Sequence, residues 1–185
     1  MILPIYTYGQ PVLRKVAEDI DSDYPELTKL IQDMYDTLKH SEGIGLAAPQ
    51  VGLPIRLVVV NLDVISEDMP QYKGFVKTYI NPYIEEADDS DTDVMEEGCL
   101  SLPGIHEKVK RPKRIRLSWQ DEQFQEHDEW IEGYLARVLQ HETDHLDGMV
   151  FTDHLTGLRK QLTHKKLQSI AKGRFECDYK VKGRK

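Results

Sequence analysis

The sequence predicts an α+β domain on three observations: an early helix with an apolar stripe, a middle stretch of strand-like segments, and two helical segments that close the chain. Strands first and helices later place it in the α+β class. At 185 residues and 21.4 kDa, one domain is the simplest organisation, large enough to bury a core without disulfides.

The elements follow in order. DYPELTKLIQDMYDTLKHSEG reads as a helix, with Pro25 near its start and Leu27, Leu30, Ile31, Met34 and Leu38 recurring at helical spacing. Gly43 is placed to stop it. GIGLAAPQVGLP is too rich in Gly and Pro for a regular element, whereas IRLVVVNL has the content of a buried strand. FVKTYINPYI is a second strand, broken at Asn81-Pro82. The acidic run EEADDSDTD, residues 85–93, reads as a solvated loop without the spacing of a calcium site. KVKRPKRIRLSWQDEQ alternates as a strand, with Pro112 at an edge or bulge and its Lys and Arg on an exposed edge. A helix then runs from near Gly133 to Gly148, and Leu155, Leu158, Leu162 and Ile170 outline a C-terminal amphipathic helix. Residues 1–171 are read as one catalytic domain and 172–185 as a basic tail.

Composition narrows the function. With 39% hydrophobic and 30% charged residues the chain has the make-up of a soluble globular protein, and no apolar run approaches the length of a membrane span. The N-terminus lacks the layout of a signal peptide, so a cytoplasmic protein, or a mature chain already processed, is expected. Two cysteines, Cys99 and Cys177, suit a ligand, a nucleophile or an inert thiol better than a disulfide there. The net charge of -8 is unevenly spread, because residues 159–185 hold ten Lys or Arg against two acidic residues. Such an end suggests docking to something anionic, RNA first.

The helix LARVLQHETDHLDG carries the chemistry. Histidines at i and i+4 share a helical face, so His141 and His145 can ligate one metal ion, while Glu142 is left to handle protons. A catalytic metal takes three protein ligands and keeps one position open. None of the acidic or histidine residues after His145 completes the protease layout. Upstream, EEGCLSLPG places Cys99 at an expected strand end, where a thiolate would make a Cys/His/His set.

Three blocks, GIGLAAPQ at 43–50, EGCLS at 97–101 and QHETDHLDG at 140–148, together with the opening ILPIYTYGQPVLRK, resemble the peptide deformylase family of the bacterial type. The resemblance spans nearly the whole chain, but the acidic run and the end after about residue 171 follow no family pattern. It implies antiparallel sheets around a central helix that bears the motif. It further implies that Cys99, His141 and His145 bind one divalent metal with a water in the fourth place, and that Glu142 is general base and then acid. The side chain of Gln50 and the backbone N–H of Leu100 are implied donors to the developing oxyanion. The implied substrate is a nascent peptide beginning with N-formylmethionine, lying extended along Gly43, Ile44, Gly45, Glu97 and Gly98. Tyr134 and Val138, on the His141 face of the helix, are expected to line the methionine pocket. The implied metal is Fe(II) in the cell, replaceable by Zn(II), Ni(II) or Co(II). A monomer off the membrane, with the basic tail touching the ribosome, completes the expectation. Two rivals stand beside it: a zincin-like endopeptidase, and a structural-zinc RNA-binding module whose only spare thiol is Cys177.

Overall fold

The strand Leu57–Asn61 organises the fold, which a computed structural model describes for residues 1–182. Val58 and Val60 face one apolar cluster with the motif helix, while Leu57 and Val59 face another with the first helix. A strand covered on both faces reads as an unbroken apolar run, which is why LVVV lacks polar alternation. The order of elements is helix α1 (Leu27–His40), strands β1 (Gly45–Ala47), β2 (Leu57–Asn61), β3 (Val76–Ala87), β4 (Thr92–Cys99), β5 (Leu102–Pro112), β6 (Arg114–Gln120) and β7 (Glu126–Glu132), then helices α2 (Gly133–Leu146) and α3 (Gly157–Ala171). Five strands form an antiparallel sheet in the order β1-β2-β3-β6-β7, and β4 pairs with β5 in a second, two-stranded sheet. The α+β class and the central motif helix are as expected.

Several local expectations are corrected. Helix α1 ends at His40, and Glu42, not Gly43, takes the left-handed conformation that closes it, at φ 55°. GIGLAAPQVGLP does contain a regular piece, the short β1, held in register by β2. Strand β3 continues through Asn81-Pro82 by a bulge, with Asn81 at φ 50° and its side chain bonded to the backbone of Ile20. The acidic run is less a loop than the end of β3, a turn and the start of β4. The basic stretch after Glu107 is two strands, β5 and β6, and Arg111 within it is buried. Strand β7 was not legible, since EHDEWIE buries only Ile131; it pairs with β6 along its length and covers the sheet edge with charge.

The C-terminal end also differs. Leu158 and Leu162 are exposed, and α3 instead buries Thr163, Leu167 and Ile170 against β5 and Phe151. Leu155 precedes the helix. Residues 174–182 fold back over the body: Phe175 packs on the α3 cluster, and Ile5 exchanges backbone hydrogen bonds with Lys180 and Lys182. Gly183, Arg184 and Lys185, the end of the expected tail, lie outside the described residues.

Candidate active site

Helix α2 is buried around most of its circumference. Ala136, Leu139 and Leu146 pack on the large sheet, which turns His141, Glu142 and His145 towards β1 and the β4–β5 hairpin. The helix ends where expected: Gly148 stands at φ 74°, and Met149 N–H closes onto Asp144 O at 2.8 Å. A side chain there would meet the backbone of Arg14 at 2.7 Å.

The two halves of the site meet as the sequence suggested. Sγ of Cys99, at the end of β4, lies 3.3 Å from Nε2 of His145, and the donor atoms of Cys99, His141 and His145 all fall within 4.8 Å of one another. Burial pushes the Cys99 thiol up, but the neighbouring His145 and His141 outweigh it and bring the thiol down to about 5. A thiolate against two imidazoles is a donor set that fits a divalent ion of the zinc or iron type. Among the described residues this is the one such group; Cys177 and His154 lie outside it.

Glu97 fixes one of the imidazoles. Its Oε1 lies 2.8 Å from Nδ1 of His141, which leaves Nε2 of that ring free for a ligand. Arg111 donates to both Glu97 oxygens, at 2.7 and 2.9 Å, and Arg137 donates to one at 2.9 Å. Burial opposes ionisation of Glu97, yet the His141 and Arg111 hydrogen bonds hold its carboxyl well below the usual range. Arg111 also reaches Asp144, which His154 meets at 2.7 Å. The sequence reading missed Arg111, Arg137, Asp144 and His154 as parts of the site. One signal was available for Arg137: it precedes His141 by one helical turn, on a face that must be buried.

Glu142 is only 4% exposed, and its Oε2 has no hydrogen-bond partner among the described residues. Burial raises its carboxyl above the usual range. Gly45 makes room for it, since a Cβ at that position would lie 2.6 Å from Glu142 Oε1. Gln50 is also buried: Ala47 N–H donates to its Oε1 at 2.9 Å, which aims Nε2 at Cys99 Sγ, 3.5 Å away, and at Ser101 Oγ. Leu100 occupies the tight turn between β4 and β5, and its N–H has no acceptor among the described residues.

A cavity of about 690 Å³ opens onto these groups. Gly43, Ile44, Gly45, Gln50, Glu97, Gly98, Cys99, Leu100, Tyr134, Val138, His141 and Glu142 all line it, so the expected site residues are brought together, with His145 buried beside them. The carboxylate of Glu97 is spent on His141 and the two arginines. Glu176, Cys177, Asp178 and Tyr179, which nothing in the sequence reading placed here, form a further wall.

An α+β scaffold that brings a cysteine thiol, two imidazoles and a buried carboxylate to one open cavity has the donor set of a metal-dependent hydrolase. Comparison with known proteins narrows the class. Residues 2–161 match a family model described as Polypeptide deformylase. The peptide deformylase of Flavobacterium psychrophilum is 46% identical over 98% of this chain and 97% of its own, and that of Cytophaga hutchinsonii is 43% identical over 98% and 97%. The crystal structure of the Thermus thermophilus peptide deformylase superposes with a TM-score of 0.81 at 37% identity, over 94% of this chain and 99% of that one. This chain belongs to the peptide deformylase family, enzymes that remove the N-terminal formyl group.

Proposed function

We propose that this enzyme hydrolyses the formyl amide of nascent chains that begin with N-formylmethionine, using Cys99, His141 and His145 to hold one divalent ion. The observation that carries the reading is Glu142: a buried carboxylate with an unpaired oxygen, next to a three-donor group, is costly unless it works on protons. When bound, the ion polarises the formyl oxygen and lowers the pKa of water from about 16 towards 7. Glu142 takes a proton from the attacking water and delivers it to the departing amine nitrogen, so water and formyl amide become formate and a free amine. The Gln50 amide and the Leu100 N–H receive the charge that develops on the formyl oxygen. The unpaired Leu100 N–H and the oriented Gln50 side chain support those roles.

The substrate's backbone is read as an added strand. Among the described residues strand β1 is an edge of the large sheet and β4 pairs with β5 alone, and Ile44, Gly45 and Gly98 at these edges border the cavity. Tyr134 and Val138 line the methionine pocket in this reading, Gly43 and Gly45 let the substrate backbone approach closely, and Glu97 acts through His141. A formyl carbon bears hydrogen where an internal peptide carbonyl bears a chain, so a tight site admits the first and excludes the second.

The family resemblance favours Fe(II) in the cell, and the same ligands accept Zn(II), Ni(II) or Co(II). The reading further takes the enzyme as a monomer working in the cytoplasm beside the ribosome. No helix among the described residues is long and apolar enough to cross a membrane. The test is to incubate metal-loaded protein with formyl-Met-Ala-Ser, an internal-bond peptide and RNA in parallel. Amine released from the formyl peptide alone is expected; cleavage of the internal peptide, or RNA binding without turnover, overturns the reading.

A further inference from the structure

The turn that joins β4 to β5 holds two of the groups the proposed chemistry needs, Cys99 at its start and Leu100 at its first corner. A two-residue turn at the edge of a small sheet has little of its own to hold it still. Here both chain ends brace it from outside. Tyr8 N–H donates to Ser101 O at 2.8 Å, and the Tyr179 hydroxyl donates to Leu100 O at 2.7 Å. No backbone donor among the described residues reaches that carbonyl. The brace is itself anchored. The Tyr179 ring packs on the apolar cluster that Leu3 and Leu100 also border, and just beyond it Lys180 and Lys182 pair with Ile5 on the N-terminal segment. Burial raises the Tyr179 phenol, so it stays protonated and remains a donor across the neutral range.

From this arrangement we propose that Tyr179, in the C-terminal segment, is a positioning residue for deformylation: by holding the Leu100 carbonyl it fixes the orientation of Leu100 and so aims the Leu100 N–H at the reacting oxygen. The inference rests on the reading of that N–H as an oxyanion donor. A donor that must reorganise during the reaction loses much of its advantage over water, and preorganisation is what a clamp on the same residue supplies. Tyr179 also lines the cavity, so the strap that carries it is part of the active centre rather than a detached tail.

Tyr179→Phe removes one oxygen and keeps the ring in place. Removing an oxyanion donor outright costs about a hundredfold to a thousandfold, so loosening one is expected to lower kcat by about tenfold with KM within about twofold. Metal content and melting temperature should stay close to wild type, and the NMR order parameter of the Leu100 amide should fall below that of wild type. Unchanged kcat and an unchanged order parameter overturn the proposal. A rise in KM at constant kcat also overturns it, since the hydroxyl would then be a substrate contact. Wild-type protein that fails to deformylate formyl-Met-Ala-Ser would sink the function reading instead, and the order parameter would still decide whether Tyr179 holds Leu100.

Discussion

Cys99 and Glu142 border one cavity but are assigned different work, so their removal should fail differently. Cys99→Ala takes away a proposed ligand and is expected to lose both the ion and turnover. Glu142→Ala leaves all three proposed ligands and is expected to keep the ion while activity falls by about a hundredfold to ten-thousandfold, the usual worth of a positioned acid–base group. Metal analysis beside a formyl-peptide assay checks both, and a Cys99 variant that keeps ion and activity overturns the ligand assignment. These residues were legible because each stands in a local pattern: two histidines one helical turn apart, a glutamate beside them, and a cysteine at a strand end. Tyr179 was not legible. Its meaning comes from a carbonyl far away in the chain, and nothing local in FECDYKV marks it.

At the scale of elements, the β4–β5 hairpin and α2 are joined by charge as well as by apolar packing. Glu97 on β4 receives Arg111 from β5 and Arg137 from α2, with all three side chains 4–5% exposed. Replacing Glu97 leaves Arg111 with Asp144 and Arg137 with Asp93 as remaining acidic partners, so the usual cost of breaking a buried pair, about 3–5 kcal/mol, is an upper bound. Glu97→Gln should therefore lower the melting temperature. It should also weaken metal binding by about tenfold to a hundredfold, because the His141 ring loses the carboxylate that orients it. Titration with Zn(II) beside thermal melting checks this, and unchanged affinity would make Glu97 purely structural. The hairpin also shows why part of the fold was hidden. Arg111 lies in the basic stretch KVKRPKR, which reads as a solvated edge, yet its register opposite Asp93 turns it inward. Strand β7 was hidden for the opposite reason, since its charges face solvent and its hydrogen bonds to β6 define it.

Over the whole molecule, the positive charge of residues 159–185 sits on an otherwise strongly acidic chain. Ribosome association, proposed for this region, should weaken as salt rises from about 50 to 200 mM, because exposed charges are screened beyond a Debye length of about 10 Å. Truncating the end would also remove Tyr179. Exchanging exposed Lys165, Lys166 and Lys172 for Gln is the cleaner test, and unchanged pelleting with ribosomes counts against the contact. The sequence by itself determined the class of fold, the helix that bears the motif, and the group of Cys99, His141, Glu142 and His145 that the structure brings together. Those features depend on period, turn residues and spacing along a short stretch of chain. Only the tertiary structure decided which charges are buried, what Glu97 holds, and where the C-terminal segment goes. Each of these depends on contacts between residues far apart in the chain, and the free energy of burying a charge is set by partners that local pattern does not name.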